Sequence, residues 1–342
     1  MKQIRIYSLA IALFFVLCTI QAEAGLKREV AISGTTMGTF YHIKYISDTQ
    51  TSKTIWKQKV DTRLKEINKH LSMYDPKSEL CVFNQEIPGK PVVISSDFFA
   101  VLEEGKKLYQ LTDGAWDGTI KPLVDLWGFG TRKTPVILPD PDTIQKALAH
   151  IGFDQIQINT PRSITKQKAI TLDFGSIAKG YGVDAIVKLF VSSGIHDVLV
   201  EIGGELTGSG KNKNGEPWTV GISRPDKTFT SQTLFKIIRL DNQAIATSGN
   251  YRNFYEIDGK TYSHIIDPKT GFPVTNNIVS ASVISTTCTF ADGLATALMV
   301  MEVQKGIDLV NTLEKTECLI IQKTGNQLIS HASDHFDDLV AQ

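Results

Sequence analysis

Apolar residues recur along the chain with two different periods, which predicts a mixture of strands and helices. Residues 40–45 alternate between apolar and polar side chains and predict a strand, whereas residues 53–71 have apolar side chains three or four positions apart and predict a helix. Residues 95–97 can cap a helix, so a second helix is predicted to continue to about residue 110. A short helix is predicted to start within 139–142 and to end near Gly152.

The second half of the sequence is richer in strand patterns. The predicted strands there are residues 198–202, 218–222, 235–240 and 278–284, and residues 291–301 predict a helix. A further strand ending near Phe174 is predicted to lead through a glycine-rich turn into a helix that extends to Phe190. No repeat or low-complexity linker marks a domain boundary, so the sequence predicts one α+β domain.

The N-terminal residues form a separate segment. Two basic residues precede an apolar run at 9–20, and Ala24 ends a stretch of small residues of the kind a signal peptidase recognises. We therefore expect residues 1–24 to be a signal peptide that is removed, which leaves 25–342 as a soluble domain, periplasmic in a Gram-negative host. A membrane anchor is the alternative, but the run is shorter than the roughly 20 residues that a span needs. Lipidation of Cys18 is disfavoured because bulky Leu17 precedes it.

The composition places the chain among globular proteins without a polyanionic partner. Hydrophobic residues make up 42% of the chain, which is enough for a sizeable core. Lysine plus arginine and aspartate plus glutamate number 36 each, so the net charge is zero and nucleic acid is not expected as a partner. Three cysteines follow residue 24, so at most one disulfide can form within the chain, and pairing of Cys288 with Cys318 is left open.

Residues 170–182 contain the glycine-rich junction between a predicted strand and helix. Such a junction exposes backbone N–H groups and a partial positive charge that suit a phosphate. The glycines at 175, 180 and 182 match neither the dinucleotide fingerprint nor a Walker loop, so a plain tight turn is the alternative interpretation.

Two further groups could carry chemistry. Asp292 and Thr296 lie four residues apart on one face of an apolar helix, which is a sparse oxygen set typical of Mg²⁺. Alternatively, Asp292 caps the helix and the Thr296 hydroxyl bonds back to it.

His264, with Asp267 nearby, could be a general base or a structural residue at a strand end. The aromatic residues at 113–119 and 126–130 predict either a wall for ring stacking or loop packing.

The order and combination of these motifs resemble the ApbE family of FAD:protein FMN transferases over nearly the whole chain after residue 24. The matching blocks are TMGT at 36–39, SMY at 72–74 with Ser78, Glu79 and Asn84, DGAWD at 113–117, LWGFG at 126–130, LDFGSIAKGY at 172–181, GGE at 203–205, TSGNY at 247–251, SHIIDP at 263–268 and DGLAT at 292–296.

The resemblance implies an activity and a fold. An enzyme of this kind would cleave the FAD pyrophosphate with Mg²⁺, attach FMN to a Ser or Thr hydroxyl of an acceptor protein and release AMP. The implied acceptors are subunits of membrane redox complexes, and the implied fold is a single T-fold-like α+β domain. Hydrolysis of FAD to FMN and AMP, a flavin carrier without turnover and an exported solute-binding protein are alternatives, although the last gives no reason for the pair of Asp292 and Thr296.

The resemblance also implies roles for individual residues. Asp292 and Thr296 would bind the metal through their side chains, and Ser176 through its backbone carbonyl. Lys179 would stabilise the charge that develops on the diphosphate, and either Asp173 or His264 would take the proton from the attacking hydroxyl. The positions implied to contact FAD are Met37, Tyr74, Ala115, Trp116, Asp117, Asp173, Lys179 and Ile266.

Three residues depart from the commonest family pattern. Ser176 stands where Gly or Ala is frequent, and Trp116 replaces a smaller apolar or Phe side chain and is expected to reshape the site wall. Gly293 replaces a frequent Ala, which lowers helix propensity by about 1 kcal/mol. The metal-binding helix is therefore expected to be looser or to need closer packing.

Overall fold

A computed structural model describes residues 28–47, 52–130, 138–159, 162–225, 233–250, 254–257 and 260–341. The predicted signal peptide and its cleavage site lie outside these residues, as does Tyr251 of the TSGNY block. Among the described residues, none of the helices combines the length and the hydropathy that crossing a bilayer requires.

The strands build one large sheet and three small ones. Their bounds are β1 Arg28–Thr36, β2 Thr39–Ser47, β3 Val92–Val93, β4 Ile156–Asn159, β5 Ser163–Lys166, β6 Val198–Ile202, β7 Glu205–Ser209, β8 Trp218–Ser223, β9 Leu234–Leu240, β10 Gln243–Gly249, β11 Phe254–Ile257, β12 Lys260–Ser263, β13 Ile278–Ser285, β14 Glu317–Thr324 and β15 Gln327–Ala332. The large sheet has the order β1-β2-β6-β7-β10-β13-β14-β15. The small sheets are β3-β5-β4, β8-β9 and β11-β12.

Eight α-helices lie within the described residues. Their bounds are α1 Lys53–Leu71, α2 Glu79–Gln85, α3 Ser96–Leu111, α4 Lys121–Leu126, α5 Pro141–Leu148, α6 Ala178–Val191, α7 Cys288–Val300 and α8 Val303–Asn311. Every strand pair in the described residues is antiparallel, so the expected α+β class is confirmed.

The large sheet is covered on both faces. On β13, Val283 belongs to the main core, which includes residues of α1, α3, α6 and α7, whereas the next residue, Ile284, packs with β8 and β9 on the opposite face. Ile320 and Ile321 of β14 divide between the two cores in the same way. Because successive strand residues point to opposite faces, the central strands are apolar on both sides.

Most predicted elements form close to their predicted bounds, and three differ. The helix predicted from 139–142 to Gly152 ends at Leu148, before Gly152, whose φ of 127° lies outside the helical region. Helix α7 begins at Cys288, one turn earlier than predicted, because the Thr287 side chain caps it. The strand predicted before the glycine-rich junction does not form. There the Asn84 side chain donates to the Leu172 carbonyl at 2.8 Å and accepts the Leu172 N–H at 2.7 Å. These two hydrogen bonds occupy the backbone groups that would otherwise pair with a neighbouring strand.

Helices α6 and α7 approach each other closely and set the position of the site. A Cβ atom on Gly180 would lie 2.3 Å from the carbonyl oxygen of Cys288, so only glycine permits this approach. Further along α6, the Asp184 carboxylate accepts the backbone N–H groups of Cys288 at 2.9 Å and Thr289 at 2.8 Å. This contact places the first turn of α6 beside the second turn of α7.

Candidate active site

A cavity of about 580 Å³ opens where the start of α6, one face of α7 and the ends of strands in the large sheet meet. Eleven of the twelve residues expected at the site line it, namely Tyr74, Ala115, Trp116, Asp117, Asp173, Ser176, Lys179, His264, Ile266, Asp292 and Thr296. Met37 is not among the lining residues. It lies between β1 and β2 with a φ of 50°, and its side chain packs near Gly182 of α6.

The polar end of the cavity holds one lysine between two buried carboxylates. The Lys179 Nζ atom lies 2.6 Å from Glu205 Oε1 and 3.6 Å from Asp292 Oδ1. The other oxygen of Asp292, Oδ2, accepts the Gly180 N–H at 3.0 Å. Both carboxylates are only 3% exposed, and the Oε2 atom of Glu205 has no hydrogen-bond partner among the described residues. The cluster therefore contains a buried oxygen that is free to accept from a ligand or to coordinate a cation.

The net charge of this cluster depends on whether Glu205 is protonated. Burial raises the pKa of Glu205 to about 8 and also raises the pKa of Asp292. Burial alone would lower the pKa of Lys179, but the carboxylates of Asp292 and Glu205 outweigh that effect and raise it. With a pKa of about 8, Glu205 retains its proton at neutral pH in the metal-free protein, so the cluster carries one excess negative charge only once that proton is lost. A bound cation would balance this charge.

Thr296 lies one turn beyond Asp292 on the same face of α7. Its hydroxyl is 3.0 Å from the Ser248 hydroxyl and donates to the Asp292 carbonyl at 3.3 Å. The bond back to the helix is therefore confirmed, whereas the alternative that Asp292 caps the helix is wrong, because Thr287 occupies the cap. The Asp292 carboxylate is thus left facing the cavity.

Trp116 and Ser176 are joined across the cavity wall. The indole Nε1 of Trp116 donates to the Ser176 hydroxyl at 3.0 Å. The side chain of Trp116 is nearly completely buried, and so is that of Trp127, and both indoles pack in hydrophobic cores. Tyr74, which is 77% exposed where it lines the cavity, is the ring available for stacking on a ligand.

Two aspartates of the cavity wall brace turns. The Asp173 Oδ1 atom accepts the Gly175 N–H at 2.8 Å, and burial raises the pKa of this carboxyl. The Asp117 Oδ1 atom accepts both the N–H and the hydroxyl of Thr119, at 2.8 and 2.6 Å, and burial raises its pKa to about 6. Asp173 combines a position on the cavity with a raised pKa, as a general base near neutral pH requires.

His264 is half-buried and lines the cavity beside Phe129, with the two ring centroids 6.3 Å apart. Asp267, three residues further on, accepts the Lys269 N–H at 2.9 Å and the Thr270 hydroxyl at 3.0 Å. The Asp267 carboxylate therefore closes the turn that follows the histidine.

Sequence reasoning gave no role to Glu205, which the structure places at the centre of the charged cluster. Its signal in the sequence is an acidic residue that follows two glycines at the start of an apolar strand. Gly203 and Gly204 have φ values of 65° and 109° and form the tight turn that brings Glu205 to Lys179. Ser248, the hydroxyl partner of Thr296, was also given no role.

Comparison with known proteins gives one consistent family. The family model described as the ApbE family matches residues 37–320. An FAD:protein FMN transferase of Vibrio cholerae is 38% identical over 319 residues, which cover 92% of this chain and 93% of the relative. An FAD:protein FMN transferase of Haemophilus influenzae is 36% identical over 346 residues, which cover 99% of both chains.

Solved structures agree. The flavin transferase ApbE from Vibrio cholerae superposes with a TM-score of 0.83 at 38% identity, covering 92% of this chain and 99% of that chain. The apo form of the flavinyl transferase ApbE from Pseudomonas stutzeri has a TM-score of 0.83 at 33% identity, covering 92% and 97%.

Proposed function

The chain belongs to the ApbE family, and we propose that it cleaves FAD with Mg²⁺ and attaches the FMN half to a protein. It is an FAD:protein FMN transferase, in agreement with its relatives. The finer proposal is that FMN is joined through a phosphoester to a Thr or Ser of the acceptor and that AMP is released. The observation that supports it most is the buried cluster of Lys179, Glu205 and Asp292, at one end of a cavity in the size range of ligand pockets.

The residues present fit Mg²⁺. This ion prefers a few oxygen ligands and takes the others from water and substrate phosphates. Asp292 and Thr296 offer a carboxylate and a hydroxyl on one face of α7, and the Ser176 carbonyl would be the third protein ligand. The unpartnered Oε2 of Glu205 and the excess negative charge also favour a cation here. Bound Mg²⁺ would neutralise charge on the diphosphate.

The residues of the chain would divide the remaining work. The acceptor hydroxyl oxygen attacks the phosphorus of the FMN half, and the bond from that phosphorus to the bridging oxygen breaks, so AMP leaves with this oxygen. Lys179, whose pKa is raised, stays protonated and stabilises the negative charge on the diphosphate oxygens. The hydroxyl proton passes to a base on the cavity wall, for which His264 and Asp173 are the two candidates.

Hydrolysis of FAD to FMN and AMP is the second candidate. The exposure of Tyr74 on the cavity wall indicates that water has access to the site, and a water molecule could replace the acceptor hydroxyl in the same attack. A flavin carrier without turnover is the third, and it would release no AMP.

One experiment separates these functions. The protein is incubated with FAD and Mg²⁺, with and without a flavin-free redox subunit whose Thr or Ser at the modification site is unmodified, and free AMP and FMN are measured. A transferase gives AMP without free FMN when the acceptor is present, a hydrolase gives equal amounts of both, and a carrier gives neither. A matched control acceptor has its modified Thr or Ser replaced by Ala.

We also propose that residues 1–24 direct export and are removed, so that the enzyme works in the periplasm on subunits of membrane redox complexes. The sequence pattern at 9–24 supports this proposal. The N-terminal residue of the protein isolated from a Gram-negative host is expected to be Gly25, and retention of the first 24 residues would contradict it.

A further inference from the structure

Trp116 lies in a space that glycines leave open. A Cβ atom on Gly105 of α3 would lie 2.7 Å from the indole Cη2, and one on Gly118 would lie 2.9 Å from the same atom. On α7, a Cβ atom on Gly293 would lie 2.3 Å from Leu108 and 3.5 Å from the indole nitrogen. The large Trp116 ring therefore fits here because these glycines have no side chains. The close packing of α7 at position 293 accounts for the glycine there, so the helix is not loose at this point.

The indole N–H makes a single polar contact, to the Ser176 hydroxyl at 3.0 Å. Ser176 lies in the turn between Asp173 and the first residues of α6, including Lys179. The other side of the ring packs near Phe153, with the two ring centroids 5.6 Å apart. The ring is thus fixed by α3, α7 and Phe153, and it donates toward the turn that carries Asp173 and Ser176 and leads into α6.

We propose that Trp116 is a positioning residue, which holds the Ser176 turn in place against α7 through this hydrogen bond. The proposal rests on the proposed function, in which the Ser176 carbonyl and the Asp292 carboxylate bind the same Mg²⁺. Ser176 is on the turn and Gly293 is next to Asp292, so the indole connects the two elements that supply the metal ligands. Trp116 and Ser176, two of the residues expected to differ from the commonest family pattern, are hydrogen-bonded to each other.

Two substitutions remove the bond from either side. Trp116→Phe keeps an aromatic ring but lacks the N–H, and Ser176→Ala keeps the backbone carbonyl but lacks the acceptor. Each is expected to raise the Mg²⁺ concentration for half-maximal AMP release by about fivefold, which is the effect expected from the loss of one hydrogen bond. The double variant should match the single variants, because the bond can be lost only once.

A second readout does not depend on activity. The Tm of the enzyme is measured against the concentration of Mg²⁺ alone, and the concentration at which Tm begins to rise should shift upward by the same factor in both variants. Trp218→Phe is the matched control. Its indole also donates a hydrogen bond, to the Ser209 carbonyl at 2.9 Å, but on the opposite face of the large sheet. The control should lower Tm without moving the Mg²⁺ concentration at which Tm begins to rise.

The outcomes are distinguishable. A wild-type enzyme whose turnover and Tm ignore Mg²⁺ contradicts the proposed function. A Mg²⁺-dependent wild type with no shift of these Mg²⁺ concentrations in Trp116→Phe and Ser176→Ala overturns the positioning role alone. A double variant whose shift is the product of the two single shifts overturns it as well, since independent effects would then be responsible.

Discussion

The unpaired oxygen of Glu205 gives the most direct test of the charge in the site. A buried acceptor without a partner costs about 1 to 3 kcal/mol, and here it adds to an excess negative charge. At pH 9, above the raised pKa of Glu205 of about 8, Glu205→Gln keeps the size of the side chain and removes one negative charge. We expect the metal-free protein to gain about 1 kcal/mol in unfolding free energy and the stabilisation by Mg²⁺ to shrink.

The measurement is urea unfolding with and without Mg²⁺. As the matched control, Glu201→Gln changes an acidic residue whose carboxylate already accepts the Gly204 N–H at 2.7 Å. It should leave the stabilisation by Mg²⁺ unchanged. A Glu205→Gln protein that is less stable without metal and keeps the full stabilisation by Mg²⁺ would contradict an excess of negative charge in the cluster.

The choice between His264 and Asp173 as base requires a variant. A histidine would normally place the acid limb of the rate profile near pH 6.5 and a carboxylate near pH 4. Burial raises the pKa of Asp173, so its limb moves toward that of a histidine and the position of the limb alone does not identify the base. We expect the rate of His264→Gln to be lower and to show no loss on going from pH 8 to pH 6, while FAD still binds.

The check is the pH dependence of AMP release at saturating FAD and Mg²⁺ for His264→Gln and Asp173→Asn. A His264→Gln enzyme that keeps the original limb, together with an Asp173→Asn enzyme that loses it, assigns the base to Asp173.

Three helices meet at one buried carboxylate away from the cavity. Asp97 at the start of α3 accepts from Arg63 of α1 at 2.5 and 2.7 Å and from Tyr181 of α6 at 2.7 Å, and it contacts His70 at 2.9 Å. Burial alone would raise the pKa of Asp97, but these hydrogen bonds outweigh it and hold the pKa well below its ordinary value. Tyr181 therefore has a structural role, although it lies in the glycine-rich motif.

This network should make the unfolding free energy depend on pH in the acid range. Because the pKa of Asp97 is lowered by folding, its contribution is complete above the unfolded value of about 3.9 and is lost as the pH falls further. Asp97→Asn should cost about 3 kcal/mol at pH 7 and clearly less at pH 3, as measured by urea unfolding. Asp113→Asn, which changes an exposed pair with Lys269, should have no measurable effect. An Asp97→Asn cost that is equal at both pH values would contradict the network.

The packing of α3 against Trp116 gives a second test between elements. Alanine is about 1 kcal/mol better than glycine inside a helix, yet overpacking a core costs about 1 to 3 kcal/mol. The new methyl of Gly105→Ala would meet two aromatic rings, those of Trp116 and Phe153, so packing should dominate and the protein should lose stability. In a Trp116→Phe background the smaller ring leaves room, and the same substitution should become neutral or stabilising. An equal loss of unfolding free energy for Gly105→Ala in both backgrounds would show that the Trp116 ring is not the cause of the loss.

Local patterns predicted the elements that local forces determine. Apolar residues at a helical period gave α1 with its observed bounds, and cap residues gave the start of α3. The strand predicted before Gly175 failed because its hydrogen bonds go to the side chain of Asn84, which is 88 positions away. Likewise, the spacing of Asp292 and Thr296 indicated a metal site and the resemblance gave Lys179 its role. The contact of Lys179 with Glu205, however, depends on how α6 lies against β7, which no local pattern shows.

The described residues build a large antiparallel sheet that is covered on both faces, and the candidate site lies where this sheet meets α6 and α7. The cavity joins an apolar wall, which includes Phe129, Ile245 and Ile266, to the charged cluster at Lys179. A ligand with a flat apolar part and a diphosphate matches both regions, as FAD does. The central claim is therefore that one reaction at this site joins the FMN half of FAD to a protein hydroxyl.

The most direct test is the intact mass of the acceptor protein, measured with the AMP released in the same reaction. With FAD and Mg²⁺, the acceptor should gain the mass of one FMN less one water, with one AMP for each acceptor modified, and chelation of Mg²⁺ should stop both. AMP release with free FMN and an acceptor of unchanged mass would contradict the account and identify the enzyme as a hydrolase of FAD.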